Sequence, residues 1–339
     1  MRFTPNSRLR LERAAVTMRA WLAFAASMPL FGCSTALLRP VATTEAATDL
    51  QQITRSSANE LDPAISPDGK AIAYEVTGSP GGSSHVEVRS LAEPGRLIYA
   101  SEQGAEPAWM PDGTSIVFVG KTPSSRSEIL QTLGQGVRPV FLADVGDPFL
   151  AGSWPAVSGD GKLVAMSLDD VSVQKPGWNG ARSYDHALGI TDLLGSRLKT
   201  VGRGTDPAWS PDGKHLAFAR VTGGHAHVFV ADADGSNAVQ ITDGPADDLA
   251  PAFSPDGGTL AFCSAHLDDG RLTRANLFLV HLDGSGLVQL TEGDRVACRP
   301  AWGRDGLIYF HANARTRFHI WRIRPRGDLS LGGDWATPG

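Results

Sequence analysis

The segment "DPAWSPDGKHLAFAR", residues 206–220, is one of six related segments in this chain of 339 residues. The other five are "DPAISPDGKAIAYEV" at 62–76, "EPAWMPDGTSIVFVG" at 106–120, "WPAVSGDGKLVAMSL" at 154–168, "APAFSPDGGTLAFCS" at 250–264 and "RPAWGRDGLIYFHAN" at 299–313. Their first prolines stand at 63, 107, 155, 207, 251 and 300, so successive copies are 44 to 52 residues apart. A period of this length is typical of a propeller or another repeat array.

One copy contains the pattern of four short strands. In residues 207–242, "PAWS", "HLAFAR", "HVFVADA" and "AVQIT" have strand character, and "SPDG" and "DGSN" separate them with turn residues. Four antiparallel strands in each period make one propeller blade. The sequence therefore predicts an all-β fold, a six-bladed β-propeller of four-stranded antiparallel blades. Large apolar residues at 109, 209, 253 and 302 are expected to pack between neighbouring blades.

The two ends of the repeat region indicate how the ring closes. Thr54 in "QQIT" precedes Pro63 by nine residues, and Thr242 precedes Pro251 by the same distance. Residues 49–54 therefore resemble the fourth strand of a blade, but the first three strands of that blade do not precede them in the sequence. We expect this N-terminal strand to complete the last blade. The alternative is that residues 328–333 provide that strand. Closure of the ring removes the open sheet edge that would invite aggregation.

Bulk composition is that of an ordinary β protein with many turns. The chain has 38 Gly, 22 Pro, 20% charged residues and a net charge of −5. A basic surface of the kind that binds nucleic acid is not indicated, so nucleic acid is not an expected partner.

The first 33 residues have the pattern of an export signal. Arg19 precedes an apolar run from Ala20 to Phe31, which is too short to span a membrane as a helix. The ending Leu30-Phe31-Gly32-Cys33 resembles a bacterial lipobox, whose cysteine becomes the lipid-modified first residue; the alternative is an ordinary signal peptide that happens to contain a cysteine. Translation starts at Met1 or at Met18. Residues 34–48 are predicted as a flexible tether, 49–325 as the propeller and 326–339 as a tail.

The unit "PAWSPDGKxLAF…DGSNxxQIT" resembles the repeat of the TolB family of periplasmic six-bladed propellers, over residues 49 to about 325. We expect a non-catalytic propeller that binds a protein or an envelope polymer. The resemblance implies a role in the cell envelope and a partner such as the peptidoglycan-associated lipoprotein Pal. With the lipobox it implies a monomer anchored to the outer membrane through Cys33, since Ser34 follows the cysteine. Family members carry an α/β domain before the propeller, and here only the tether stands between the signal and the repeats.

Candidate binding residues are those that differ between the copies. The residue before each repeated proline would line one mouth of the central channel, and these are Asp62, Glu106, Trp154, Asp206, Ala250 and Arg299. Carboxylates beside an arginine suggest a polar site for a cation or a basic peptide; the alternative is that the side chains hydrogen-bond between blades. The third copy also carries an insertion at 168–186 with Trp178 and Tyr184, which either binds a partner or is a solvated loop.

Two further cysteines, Cys263 and Cys298, are predicted near the same mouth on adjacent blades. In an oxidising compartment they can form a disulfide; otherwise Cys263 is a small core residue. The repeated turn aspartates are interpreted as part of the scaffold, because one occurs in every copy.

Sequence signals for catalysis are weak. No G-x-S-x-G elbow, P-loop or H-E-x-x-H motif occurs. His225 and His227 share a strand face, but two histidines without a third ligand are weak evidence for a metal. We therefore expect no cofactor, no metal and no enzyme activity. The alternative function is a propeller lyase or hydrolase that acts on a glycan in the central funnel.

Overall fold

The computed structural model describes residues 42–78, 84–121, 127–132, 140–143, 150–170, 186–193, 198–268, 271–314 and 317–326. Within these ranges no helix is long and apolar enough to cross a membrane. Strands form the regular structure. In chain order they are β1 (Ala42–Thr43), β2 (Ala47–Gln52), β3 (Asn59–Ile65), β4 (Ala71–Thr77), β5 (His85–Ser90), β6 (Leu97–Ala100), β7 (Ala105–Trp109), β8 (Ile116–Lys121), β9 (Ser127–Thr132), β10 (Val140–Ala143), β11 (Leu150–Val157), β12 (Leu163–Asp170), β13 (Ala187–Asp192), β14 (Lys199–Arg203), β15 (Thr205–Trp209), β16 (His215–Thr222), β17 (His225–Asp232), β18 (Val239–Gln240), β19 (Asp247–Phe253), β20 (Thr259–Asp268), β21 (Arg271–His281), β22 (Val288–Gln289), β23 (Thr291–Glu292), β24 (Ala297–Trp302), β25 (Ile308–Ala314) and β26 (Arg317–Pro325).

These strands form four-stranded antiparallel sheets, which we call blades. Blade one is β3 to β6, blade two β7 to β10, blade three β11 to β14, blade four β15 to β18, blade five β19 to β22, and blade six β24 to β26 with β2. The inner strands β3, β7, β11, β15, β19 and β24 each contact the next blade, and β24 contacts β3. The predicted all-β propeller of four-stranded antiparallel blades is confirmed.

The turn after each inner strand is held by its aspartate. In every blade the Asp Oδ1 accepts a hydrogen bond from the backbone N–H two residues later; the aspartates are Asp68, Asp112, Asp160, Asp212, Asp256 and Asp305. A serine hydroxyl and this N–H together lower the pKa of Asp160 and of Asp212 to about 2. The aspartates are part of the scaffold, as predicted.

Apolar side chains fill each junction between neighbouring blades. Among the described residues, a separate buried cluster lies at every junction around the ring, from blades one and two to blades six and one. Trp109 and Trp209 also donate their indole N–H to the backbone oxygens of Ala64 and Ala156 in the preceding blade. The repeated aromatic position therefore packs between blades, as its apolar character predicts.

The ring closes with the N-terminal strand. β2 pairs antiparallel with β26 and forms the outer edge of blade six. It begins at Ala47, two residues before the predicted start. The hydroxyl of Thr54 accepts a hydrogen bond from the N–H of Ile320, and Thr242 accepts one from Val228 in blade four. Thr54 and Thr242, which stand at the same distance before a repeated proline, therefore play the same structural role in their blades. The alternative strand at 328–333 lies outside the described residues.

The predicted tether at 34–48 is wrong at its C-terminal end. β1 pairs with β23 beside blade five, and the Thr44 hydroxyl donates to the backbone oxygen of Gln289 at 2.6 Å. Ala47 is buried in the apolar cluster between blades five and six. These contacts fix residues 42–48 because the chain must cross from blade five to the edge of blade six before it enters β2.

A disulfide also joins blades five and six. Cys263 in β20 and Cys298 in β24 are bonded, with Cα atoms 5.0 Å apart, and both are buried. The two residues therefore lie on adjacent blades, as the antiparallel pairing predicted.

Candidate binding cavity in the central channel

The residue before each repeated proline has a left-handed backbone. The φ angles are 49° at Asp62, 55° at Glu106, 48° at Trp154, 55° at Asp206, 51° at Ala250 and 58° at Arg299. Few non-glycine residues adopt positive φ. The register of each inner strand shifts at the same place, as in a β-bulge, which redirects a side chain and leaves a backbone group outside the ladder.

Some of these freed backbone N–H groups bind a side chain of the preceding blade. Trp154 donates to the carboxylate of Glu106 at 2.6 Å, and Asp206 donates to the hydroxyl of Ser167 at 3.1 Å. Asp62 donates to Nδ1 of His311 at 3.2 Å, so this nitrogen carries no proton in that arrangement. The bulges therefore connect blades as well as line the channel.

Arg299 crosses the channel from blade six. Its Nη1 lies 2.7 Å from Oδ1 of Asp206 in blade four, and its Nε lies 3.6 Å from Oδ1 of Asp62 in blade one. The guanidinium carbon lies 4.5 Å from the centre of the Trp154 ring in blade three, in a cation–π contact. Blade five contributes only Ala250 at this level, and its small side chain leaves room for the arginine.

Burial and charge shift the pKa values in this ring. Burial and the nearby Asp62 carboxylate raise the pKa of Glu106 to about 8, against the opposing effects of the Trp154 N–H and Arg299. Burial by itself would lower the pKa of Arg299, but Asp206 and Asp62 outweigh it and raise that pKa. At neutral pH, Glu106 is therefore a neutral acid and Arg299 remains a cation.

The ring forms the floor of a cavity of about 430 Å³. Its walls consist mainly of the Pro-Ala steps and the aromatic residues that follow them in the inner strands. Its rim lies where these strands enter the Asp-Gly turns, and we call this the turn end of the channel; the rim residues are Pro67, Pro111, Gly159, Pro211, Pro255 and Arg304. The structure thus places all the predicted channel-mouth residues around one cavity, although they lie inside the channel rather than at its mouth.

None of the other predicted site residues that the structure describes lines this cavity. Cys33, Trp178 and Tyr184 lie outside the described residues. His225 and His227 face Asp247 and Asp248 across the junction of blades four and five, at 3.8 Å in each case. Among the described residues, no group of three or more His, Cys, Asp or Glu side chains is placed to hold a metal ion.

The sequence analysis did not assign hydrogen-bond partners to the ring residues. Ser167 in β12 and His311 in β25 lie in the middle of second strands, and each binds the bulge of the following blade. A polar residue at this point in an otherwise apolar strand is the available signal, but which bulge it meets depends on the packing of the blades.

The family model of the TolB beta propeller domain matches residues 183–328. A Protein TolB homolog from Chlorobium chlorochromatii (strain CaD3) is 30% identical over 156 residues, which covers 45% of this chain and 32% of the relative. This chain therefore spans about a third of that protein.

Among solved structures, TolB from Acinetobacter baumannii superposes with a TM-score of 0.57 and 21% identity, over 74% of this chain and 59% of that one. An oligogalacturonate lyase from Vibrio parahaemolyticus has a TM-score of 0.53 and 11% identity, over 86% of this chain and 98% of the lyase. At such identities these two likenesses show the fold alone. With the ring of four-stranded blades, they show that the chain is a β-propeller, and residues 183–328 are similar to the TolB beta propeller domain.

Proposed function

We propose that this chain is a non-catalytic, lipid-anchored propeller of the bacterial periplasm that binds an envelope protein, in a role like that of the Tol-Pal system. The similarity to TolB proteins supports this role, and one related protein is named for the Tol-Pal system. The partner would be a lipoprotein such as Pal, and the propeller would act as a monomer.

The proposal that the protein is non-catalytic rests on the contacts of the titratable side chains in the channel ring. General acid–base chemistry needs titratable groups that can reach a substrate proton. Here Arg299 pairs with Asp206 and Asp62, and the carboxyl group of Glu106 accepts a hydrogen bond from the backbone N–H of Trp154 in the next blade. These contacts support the alternative that the ring residues hydrogen-bond between blades.

The N-terminal sequence supports the location and the anchor. The export signal and the lipobox ending at Cys33 direct a chain through the inner membrane and attach a lipid to it. The disulfide between Cys263 and Cys298 is consistent with an oxidising compartment. The blade-three insertion, with Trp178 and Tyr184, is the proposed surface for the partner, because insertions on one face of a propeller commonly recognise other molecules.

Crosslinking in intact envelopes tests the partner. Tagged full-length protein is crosslinked, purified and compared with a W178A/Y184A variant and with an L287S control, which changes an exposed apolar residue of blade five. We expect one envelope protein to co-purify with wild type and with L287S, and its yield to fall at least tenfold with W178A/Y184A. Absence of a partner from the wild-type sample, or equal recovery with the double variant, would contradict the proposal.

Labelling with radioactive palmitate tests the anchor separately. We expect label in the wild-type protein and in C263A/C298A, and none in C33S. A labelled C33S protein, or an unlabelled wild type that is nevertheless exported, would leave the ordinary signal peptide as the correct interpretation.

A further inference from the structure

We propose that the central cavity binds a neutral saccharide, the end or a branch of a glycan, as a ligand separate from the envelope protein. The inference rests on the proposed function only in assuming that the cavity binds without catalysing a reaction. The cavity, at about 430 Å³, is within the range of small-molecule sites.

The floor contains one hydrogen-bond acceptor that the described residues do not use. Asp206 is only 4% exposed, and its Oδ1 binds Arg299, but its buried Oδ2 accepts no hydrogen bond. A buried polar atom left without a partner costs about 1–3 kcal/mol. Because this oxygen is covered in the structure, we infer that a ligand O–H or N–H group reaches it when the side chains around it shift.

The negative charge of the floor disfavours binding of anions, and Arg299 already provides the cation that its carboxylates would attract. At neutral pH the carboxylates of Asp62 and Asp206 face one guanidinium, and Glu106 is protonated because its pKa is about 8. The sum is one negative charge. Arg299 already occupies the position between the two carboxylates that a basic ligand would take, so a neutral donor is the best match.

The walls complement the apolar faces of sugar rings. Trp109, Trp154 and Trp302 are half-buried and line the cavity with the prolines of the inner strands. A sugar ring has C–H groups on its faces and hydroxyl groups at its edge. It can therefore lie against an indole while it donates to Asp206, whereas an alkyl chain could use the walls but not the floor.

The route into the cavity limits the ligand to a chain end. Arg299 spans the channel between blades six, four and one, which obstructs passage through the ring. Entry is from the turn end, between the rim prolines and Arg304. A polymer could insert its end or a branch there but could not thread through.

Titration with two neutral probes tests the proposal. The full-length protein, purified in a detergent without a sugar headgroup, is titrated with N-acetylglucosamine trimer and with maltotriose, and binding is followed by tryptophan fluorescence and calorimetry. We expect saturable binding of at least one probe. Asp206→Asn is expected to weaken it at least tenfold, whereas Asp283→Asn, in the exposed turn between β21 and β22, leaves it unchanged.

A second variant keeps the test decisive if Asp206→Asn fails to fold. Ala108→Leu fills the cavity from the wall without removing a charged group, and is expected to abolish binding in a protein with an unchanged circular dichroism spectrum. No saturation with either probe up to about 10 mM, tighter binding of oligogalacturonate than of both neutral probes, or binding that neither variant affects would each overturn the proposal. Release of new reducing ends would instead contradict the non-catalytic function and leave the saccharide site in place.

Discussion

At the residue scale, six positions share one backbone conformation and differ in side chain. Every residue before a repeated proline has φ near +50°, yet the side chains range from Ala250 to Arg299. The backbone is therefore a property of the repeat, and the chemistry of the channel is a property of the individual copies. Two predictions concern these side chains.

The first prediction concerns Glu106 and pH. Its pKa is raised from 4.5 to about 8, so folding takes up a proton between these two pH values. The stability contributed by the protonated acid is fully present below pH 4.5 and is lost as pH rises through 8. Glu106→Gln mimics the neutral acid at every pH. We expect similar stability at pH 5 and an advantage for the variant of about 2–4 kcal/mol at pH 9, measured by urea unfolding.

Glu102→Gln is the control for that measurement, because Glu102 is exposed in a nearby loop. Its stability should follow that of wild type between pH 5 and 9. If Glu106→Gln and wild type show the same dependence on pH, the carboxyl of Glu106 is ionised in the folded protein.

The second prediction concerns Arg299. Arg299→Met keeps an unbranched apolar stem and removes the guanidinium group, which leaves Asp206 buried without its cation. We expect a loss of about 3–5 kcal/mol in the free energy of unfolding, because the remaining carboxylate is then buried without a partner that compensates for its lost hydration. The double variant with Asp206→Asn should lose at least 1 kcal/mol less than the sum of the single changes. Additive losses would show that the two side chains do not interact.

At the scale of the element, the inner strand is defined by its bulge. The register shift in β19 falls between Leu249 and Ala252, and Ala250 lies within it at φ 51°. A side chain with a Cβ is strained in this conformation and glycine is not. Glycine is therefore favoured over alanine at position 250, within the bulge, and alanine over glycine at position 252, on the paired part of the strand.

The third prediction uses these two alanines. Ala250→Gly should leave the unfolding free energy unchanged or raise it by up to about 1 kcal/mol, since relief of strain offsets the greater freedom of the unfolded chain. Ala252→Gly, on the paired part of the same strand, should lower it by about 1 kcal/mol. Thermal and urea unfolding of the two variants would decide the point. Equal losses would contradict the left-handed conformation at Ala250.

At the scale of the whole molecule, the junction of blades five and six is joined in several ways. β1 pairs with β23 on the outside, β2 completes blade six, and the disulfide links the inner part of the two blades. The two ends of the repeat region meet within blade six, where β2 pairs with β26, and a ring held at its closing strand resists opening at an edge.

The fourth prediction concerns the disulfide. C263A/C298A should unfold with a free energy about 2–4 kcal/mol lower than oxidised wild type, because the link of 35 residues limits the unfolded chain. Dithiothreitol should bring wild type close to the variant and leave the variant unchanged. A variant as stable as the oxidised protein would show that the bond contributes little to ring closure.

The sequence by itself determined the repeat, the four-stranded blade, the turn aspartates and the strand that closes the ring. Each of these follows from local chemistry: alternation sets the strands, Asp-Gly sets the turns, and the nine residues from Thr54 to Pro63 repeat a spacing seen elsewhere in the chain. The positions before the prolines were also identifiable, because the repeat made their variation visible.

Only the tertiary structure decided what those positions do. Arg299 contacts Asp206, which is 93 residues away in the sequence. The contact is possible because the small side chain of Ala250, in the blade between them, leaves space for the arginine. The raised pKa of Glu106 depends on burial by three-dimensional packing and on Asp62 from another blade. The docking of residues 42–48 likewise depends on where β23 lies. A local pattern specifies backbone geometry, whereas the meeting of side chains from different blades depends on how the whole ring closes.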